Sequence, residues 1–210
     1  MRVRNAYALL GVLFLILIIG SSYAFNRGFI KTEDTENIIS NSQSQPMAST
    51  TLSLTSSVFE HNGKIPSKYT CDGDRSINPP LEIAGAPEGT KTLALIMDDP
   101  DVPKVKRPSG VFDHWVVFNM MPPPEGGTLE IFEGGPIPGM QGANTAGTNV
   151  YTGPCPPPEY EPSEHRYVFK LYALDSELDL DKNATKDDVL AAMNGRILES
   201  AELIGRYKRI

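Results

Sequence analysis

A proline-rich segment that leads into a strand pattern is the feature that most constrains this fold. Residues 153–158 read Gly-Pro-Cys-Pro-Pro-Pro. Three consecutive prolines have a fixed φ and no backbone N–H, so this segment cannot lie in a helix or in a central strand. From Tyr167 to Leu174, two interleaved sets of side chains alternate as they do in a strand. His165, just before this strand, is therefore held by the sheet but stays near the surface, where binding residues are common.

Composition favours one mainly β domain. The chain has 210 residues, of which 40% are hydrophobic, and this is enough apolar material for one well-formed core. It contains 18 glycines and 18 prolines, and its short apolar runs are separated by turn residues. This pattern favours a β-rich architecture over a helical bundle. A formal net charge of −7 argues against nucleic acid as a partner.

The N-terminus carries a membrane-directed segment. Two arginines precede an uncharged run from Ala6 to Phe25, so residues 1–25 are either a cleaved signal peptide or an uncleaved membrane anchor. In both cases the rest of the chain is expected outside the cytoplasm, secreted or held at the membrane. Residues 26–51 are polar and predict a flexible tether, and residues 52–210 predict the folded domain.

Two further apolar runs predict strands at residues 91–97 and 111–120. The first does not alternate strictly, so both of its faces are expected to be covered. Between the second run and the proline segment, residues 121–148 are dominated by glycine and proline and predict a long surface loop without a core element.

The C-terminal part has a helical pattern. Thr185 and Asp188 resemble a capping box, and apolar residues then recur at helical spacing as far as Ile204. Gly205 follows as a stop signal. The pattern predicts one helix, or two shorter ones if Gly195 interrupts it.

Four polar side chains are the first candidates for a site. Of the three histidines in the chain, His114 and His165 are next to or within predicted strands. Asp99 lies in a proline-braced turn, and Tyr167 starts a strand. Each has an ordinary structural explanation, because Asp-Pro-Asp is a common turn and a histidine in an apolar strand is usually a hydrogen-bonded core residue. His114 nevertheless interrupts an apolar run, so its ring must find polar partners, and the other three groups are the nearest candidates.

Three catalytic or metal-binding chemistries are weaker alternatives. The chain has no Gly-x-Ser-x-Gly motif for a serine hydrolase. Cys155 beside His165 could act as a nucleophile, but cysteines outside the cytoplasm are usually paired, which favours a disulfide with Cys71. His114, His165 and Asp99 match a two-histidine, one-carboxylate metal site, yet no metal-binding spacing supports it. We therefore expect no metal and no cofactor, and a hydrolase that uses His165 or Cys155 stays an alternative.

Anion binding fits the candidates best. Gly153 allows the backbone to approach a ligand, both imidazoles can donate N–H bonds, and Tyr167 can donate its O–H. An aspartate belongs in such a site if it accepts a bond from an imidazole and so favours the cationic ring. Binding should then strengthen as the pH falls through the ordinary pKa of histidine, about 6.5.

Seven motifs in order resemble the phosphatidylethanolamine-binding protein family, in its bacterial and archaeal Raf kinase inhibitor-like (YbhB/YbcL) branch. The resemblance covers about Leu52 to Ile210. The motifs are Tyr69-Thr70-Cys71-Asp72-Gly73, Asn78-Pro79-Pro80-Leu81, Asp99-Pro100-Asp101-Val102-Pro103, Asp113-His114-Trp115, Gly142-Ala143-Asn144, Tyr151-Thr152-Gly153-Pro154-Cys155-Pro156-Pro157 and His165-Arg166-Tyr167.

The resemblance implies a β-sandwich of two antiparallel sheets with short C-terminal helices and a small anion pocket at one end. It also implies a non-enzymatic protein that binds a phosphate-type group, such as a phosphoethanolamine head group, or that inhibits a kinase or a serine protease. The pocket residues that carry over are Asp99, Asp101, Pro103, His114, Gly153, Pro157, His165 and Tyr167.

One departure from the family and one competing function remain. Glu159, Glu161 and Glu164 add negative charge between the proline segment and His165, which works against anion binding unless the basic residues 104–107 lie on the same rim. The competing hypothesis is an inhibitor whose loop 121–148 docks on a protein partner. In that case, cutting the loop would abolish inhibition while a substitution of His114 would not.

Overall fold

The computed structural model describes residues 51–209 of the chain. Within this range the chain forms nine β-strands, one α-helix and a 3-10 helix at Ser67–Tyr69. The strands and the α-helix are β1 Ser53–Thr55, β2 Gly63–Lys64, β3 Leu81–Ala84, β4 Thr92–Asp99, β5 Phe112–Met120, β6 Thr128–Ile131, β7 Met140–Gln141, β8 Glu164–Leu174, α1 Lys186–Met193 and β9 Ile197–Lys208.

The described strands form two sheets. The smaller one has the order β1-β3-β6 and the larger one has the order β2-β9-β8-β4-β5-β7. Neighbouring strands are antiparallel, except that β2 and β9 run parallel. The fold is therefore mainly β with two sheets, as predicted, although one pair departs from the antiparallel expectation.

The central strand β4 of the larger sheet is buried on both faces. One face packs with residues of the smaller sheet in a core that includes Leu54, Ile83, Leu95 and Phe169. The opposite face packs with Val189 and Met193 of α1 and with neighbouring apolar residues. All residues of β4 are buried in consequence, which confirms that this strand is covered on both sides and explains why its sequence does not alternate.

The segment 121–148 is not a structureless loop. It contains β6, which pairs with β3 and buries Ile131, and β7, which pairs with the edge of β5. The prediction was wrong because these strands are only four and two residues long. Such short strands leave almost no alternation pattern among glycines and prolines.

The C-terminal helix is shorter than predicted. The capping box at Thr185 and Asp188 is confirmed, but α1 ends at Met193, and Gly195 adopts a positive φ of 75° before the chain enters β9. Residues four apart lie on one face of a helix, but four is also a multiple of two, so they lie on one face of a strand as well. The apolar residues 197 and 201 therefore fit β9 equally well, and the predicted helical pattern divides into one short helix, α1, and the strand β9.

No helix among residues 51–209 is long and apolar enough to cross a membrane. The predicted leader at residues 1–25 lies outside the described residues, and so does nearly all of the predicted tether at 26–51.

We expect Leu95→Ala to lower the free energy of unfolding by about 2–5 kcal/mol, because Leu95 is fully buried in the core between the sheets and its truncation leaves a cavity. Urea denaturation followed by the fluorescence of Trp115, the chain's one tryptophan, measures this change. Val105→Ala is the control, since Val105 is 91% exposed and its truncation should change stability by less than about 0.5 kcal/mol. Similar losses for both variants would contradict the packing described.

Candidate ligand-binding cavity

The site lies where one strand ends between the starts of its two neighbours. β4 is antiparallel to both β5 and β8, so its C-terminal end lies beside the N-terminal ends of these strands. Asp99 is the last residue of β4, while His114 and His165 are near the starts of β5 and β8. Strand direction therefore brings three residues from distant parts of the sequence to one edge of the sheet.

Alternation along β8 gives His165 and Tyr167 the same orientation. Both side chains share a face with Phe169 and Leu171, which pack in the core between the sheets. His165 is 1% exposed and Tyr167 is fully buried. The strand thus fixes an imidazole and a phenol on the same face of the sheet.

A β-bulge orients His114. Met97 pairs with Trp115 but Asp98 pairs with Asp113, so the pairing of β4 with β5 skips His114. Without this extra residue, strict alternation would put His114 on the face of α1, together with Asp98. A bulge lets two successive side chains share a face, and the ring of His114 lies 5.2 Å from that of Tyr167, edge to face.

Asp99 orients His165. The Oδ2 atom of Asp99 accepts a hydrogen bond from Nδ1 of His165 at 2.7 Å, and its Oδ1 atom accepts one from the backbone N–H of Asp101 at 2.9 Å. Both carboxylate oxygens are therefore engaged, so Asp99 serves to position the imidazole. Because Nδ1 of His165 donates, Nε2 is the nitrogen that remains, and it is buried with no hydrogen-bond partner within residues 51–209.

His114 has the same arrangement with a different acceptor. Its Nδ1 atom contacts the carbonyl oxygen of Thr152, and because a carbonyl only accepts, Nδ1 must carry the proton. Nε2 is again the ring nitrogen that this bond does not use. Burial lowers the pKa of His114, an effect opposed by the bond to Thr152 and by the charges of Asp99 and Asp113 and reinforced by the charge of Arg75.

Tyr167 adds a hydroxyl donor. Its hydroxyl oxygen is buried and has no hydrogen-bond partner in the described part of the chain. Burial raises the pKa of Tyr167, so the phenol keeps its proton over the physiological range. The site therefore combines the Nε2 atoms of two imidazoles with one phenol O–H.

The proline segment forms one wall and is fastened to the chain around residue 71. Cys155 forms a disulfide with Cys71, with 5.3 Å between their Cα atoms, as the sequence favoured. Gly153 donates its N–H to the carbonyl oxygen of Arg75 at 2.7 Å. A Cβ atom at Gly153 would lie 2.3 Å from the carbonyl oxygen of Tyr69, so glycine is required here by close packing of two chain segments.

These elements enclose an open cavity of about 390 Å³. Six residues from the predicted set line it, and they are Asp99, His114, Gly153, Pro157, His165 and Tyr167. The remaining lining residues are Arg75, Val102, Lys106, Arg107, Phe112, Thr152, Cys155, Pro156 and Tyr160.

Two predicted residues, Asp101 and Pro103, are not among the lining residues. Asp101 instead accepts hydrogen bonds from the guanidinium of Arg166 at 2.7 and 2.9 Å and from its backbone N–H at 2.9 Å. The bonds to Arg166 hold the pKa of Asp101 below its usual range. In the structure, Asp101 thus fastens the turn after β4 to β8.

Sequence reasoning missed Arg75, Phe112 and Tyr160. A signal existed for Arg75, because it closely follows Cys71, and a disulfide to Cys155 brings this turn next to the proline wall. The basic residues 104–107 were noticed without being placed, and two of them, Lys106 and Arg107, line the cavity, whereas Glu159, Glu161 and Glu164 do not. Within residues 51–209, no three His, Cys, Asp or Glu side chains are arranged to hold a metal ion.

We expect Asp99→Ala to destabilise the protein because it removes the acceptor of a buried imidazole N–H. An unsatisfied buried donor costs about 1–3 kcal/mol. Urea denaturation of Asp99→Ala, His165→Phe and the double variant measures the coupling between the two residues. Asp99→Ala should cost less by about 1–3 kcal/mol in the His165→Phe background, and an equal cost in both backgrounds would contradict the pairing.

Reduction of the disulfide should lower the free energy of unfolding by about 4–5 kcal/mol, since the cross-link joins residues 84 apart in sequence. Urea denaturation with and without a thiol reductant measures the loss. The Cys71→Ala/Cys155→Ala variant is the control, because its stability should equal that of the reduced protein and should not respond to the reductant. An unchanged wild-type midpoint under full reduction would contradict a stabilising cross-link.

Comparison with known proteins identifies the family. The family model described as phosphatidylethanolamine-binding protein matches residues 55–208. A UPF0098 protein of Methanothermobacter thermautotrophicus is 48% identical over 160 residues, which are 75% of this chain and 99% of that protein. A UPF0098 protein of Chlamydia pneumoniae is 42% identical over 158 residues, again 75% of this chain and 99% of that protein.

Two crystal structures agree with this result. A phosphatidylethanolamine-binding protein homologue from Chlamydia trachomatis, CT736, has a TM-score of 0.70 and 41% identity, over 77% of this chain and all of that one. Escherichia coli YbcL, described as a member of the mammalian PEBP family, has a TM-score of 0.64 and 25% identity, over 76% of this chain and 99% of its own. The chain belongs to the phosphatidylethanolamine-binding protein family, and its relatives place it with bacterial and archaeal members.

Proposed function

We propose that this domain is a non-enzymatic binding protein that holds a phosphate-type anionic group, from a phospholipid head group or another phosphorylated ligand, in the cavity at the end of β4. One observation carries the proposal. Nε2 of His165 and the hydroxyl of Tyr167 are buried without a protein partner, and both residues line this cavity. Buried polar atoms are nearly always hydrogen-bonded, so these two atoms favour a polar ligand.

The donor set suits an oxyanion. Tyr167 donates its O–H, and each imidazole donates from Nε2 once that nitrogen is protonated, because both Nδ1 atoms already donate to protein acceptors. A tetrahedral phosphate presents several acceptor oxygens and can receive bonds from more than one direction. Proton uptake by an imidazole therefore accompanies binding of a ligand that brings no proton of its own.

The family supports the same ligand class. Its model is described as phosphatidylethanolamine-binding protein, and a phosphate group is the anionic part of that lipid's head group. The shared chemistry is the phosphate, whether it comes from a lipid or from a small molecule.

A binding role is preferred to hydrolysis because the cavity offers no free thiolate. Cys155 is paired with Cys71, so the alternative that combined it with His165 loses its nucleophile. The disulfide also supports our proposal that the domain works outside the cytoplasm, secreted or held at the membrane by residues 1–25.

Isothermal titration calorimetry with dimethyl phosphate tests the proposal. This probe keeps one negative charge between about pH 5.5 and about pH 8, so a change in affinity reports the protein and not the ligand. We expect binding to be about tenfold or more tighter at the lower pH, because the cationic fraction of an imidazole falls as the pH rises. The heat of binding should also depend on the ionisation enthalpy of the buffer, as proton uptake requires.

Histidine variants locate the effect. His165→Ala and His114→Ala should each weaken binding at low pH, whereas His61→Ala should not, because His61 is exposed and is not a lining residue. Equal affinity at both pH values, or equal loss in all three variants, would overturn the proposed role of the two cavity imidazoles.

A further inference from the structure

The rim of the cavity is cationic. Arg75, Lys106 and Arg107 all line it, and among the residues described none of the three lies within 4.0 Å of a carboxylate. Nearby basic side chains differ in this respect, because Arg166 is paired with Asp101 and Lys186 with Asp98. The charges at the rim are therefore left for a ligand.

Two of these cations lie over aromatic rings that pack against the two imidazoles. The Lys106 ammonium lies 5.9 Å from the ring centre of Tyr160. The ring of Tyr160 stacks against that of His165, with 6.4 Å between the two ring centres. On the other wall, the Arg107 guanidinium lies 5.4 Å from the ring centre of Phe112. The rings of Phe112 and His114 pack together, with 4.7 Å between their centres. Two adjacent residues of one loop thus place a positive charge over each side of the cavity.

The same residues offer a cationic ligand group no free carboxylate. Proteins hold an ammonium group with a carboxylate or with aromatic faces. Asp99 is the one acidic side chain among the cavity's lining residues, all of which lie in the described range, and both of its oxygens are engaged. The rings of Tyr160 and Phe112 already contact Lys106 and Arg107.

The cavity is also larger than a phosphate group needs. Its volume of about 390 Å³ lies at the low end of the range for small-molecule sites, about 300–1,000 Å³. A phosphate bound to the imidazoles and Tyr167 would therefore leave space toward the rim. Whatever is attached to the phosphate would fill that space beside Lys106 and Arg107.

We propose that the ligand carries a second anionic group, a carboxylate or another phosphate, which the basic rim recognises, and that Lys106 and Arg107 select it over a zwitterionic head group such as phosphoethanolamine. This inference rests on the proposed phosphate site and adds the chemistry of the group next to the phosphate. It assigns the basic loop after β4 a role in specificity.

Three phosphomonoesters with a two-carbon substituent test the inference. Phosphoglycolate adds a carboxylate, ethyl phosphate adds no charge and O-phosphoethanolamine adds an ammonium group. Calorimetry at roughly 50 mM salt should give affinities in that order, with steps of about threefold or more. Phosphoethanolamine binding as tightly as phosphoglycolate would overturn the inference and leave the proposed phosphate site standing, whereas no binding of any of the three would overturn both.

A charge-matched pair of variants assigns the effect to the rim. Lys106→Gln/Arg107→Gln should lower the ratio of phosphoglycolate to ethyl phosphate affinity, with Arg75 as the remaining rim cation. Lys91→Gln/Lys104→Gln removes the same charge and should keep the wild-type ratio, because Lys104 is not a lining residue and Lys91 precedes the far end of β4, roughly 25 Å along the strand. Both substitution pairs fall on exposed or half-exposed residues. An unchanged ratio in the first variant would overturn the assignment to Lys106 and Arg107.

Discussion

The hydrogen bond between Asp99 and His165 is the interaction on which the rest of the site depends. It joins the end of β4 to the start of β8, both partners are almost fully buried, and it holds the proton on Nδ1 so that Nε2 faces the cavity without a partner. A buried pair of this kind is costly to break, because either partner alone would be an uncompensated polar group. The strand ends and the ligand-facing nitrogen are consequently fixed by one contact.

Around this contact, the chain builds a cavity with two layers. The inner layer consists of two imidazoles, each bonded through Nδ1 to a protein oxygen, and a phenol, all on rigid strands. The outer layer consists of the rings of Tyr160 and Phe112 and of two cations above these rings, Lys106 and Arg107, which lie on the loop after β4. We propose that the buried donors bind an oxyanion and that the cations act on the part of the ligand that extends toward solvent, where electrostatic effects are weaker and sensitive to salt. In the proposed function, the two layers contact different parts of one ligand.

Much of the inner layer could be predicted from the sequence. Asp99, His114 and His165 stand out because polar residues at the ends of apolar strands must find partners, and the family motifs support the same residues. The bulge that orients His114 leaves no mark on the sequence, since it depends on how β4 and β5 pair. The bonds between Asp101 and Arg166 could not be predicted, because they depend on how the turn after β4 lies against β8. The C-terminal strand was missed because a spacing of four residues fits one face of either element.

Nitrogen NMR of the histidine rings tests the central claim most directly. At about pH 8 without ligand, the account predicts that the protonated nitrogen of any neutral ring is Nδ1 in both His114 and His165. It further predicts that dimethyl phosphate added at about pH 5.5 shifts the Nε2 signals of both rings and leaves His61 unchanged. A neutral ring protonated on Nε2 in the free protein, or a titration that moves neither Nε2 signal, would contradict it.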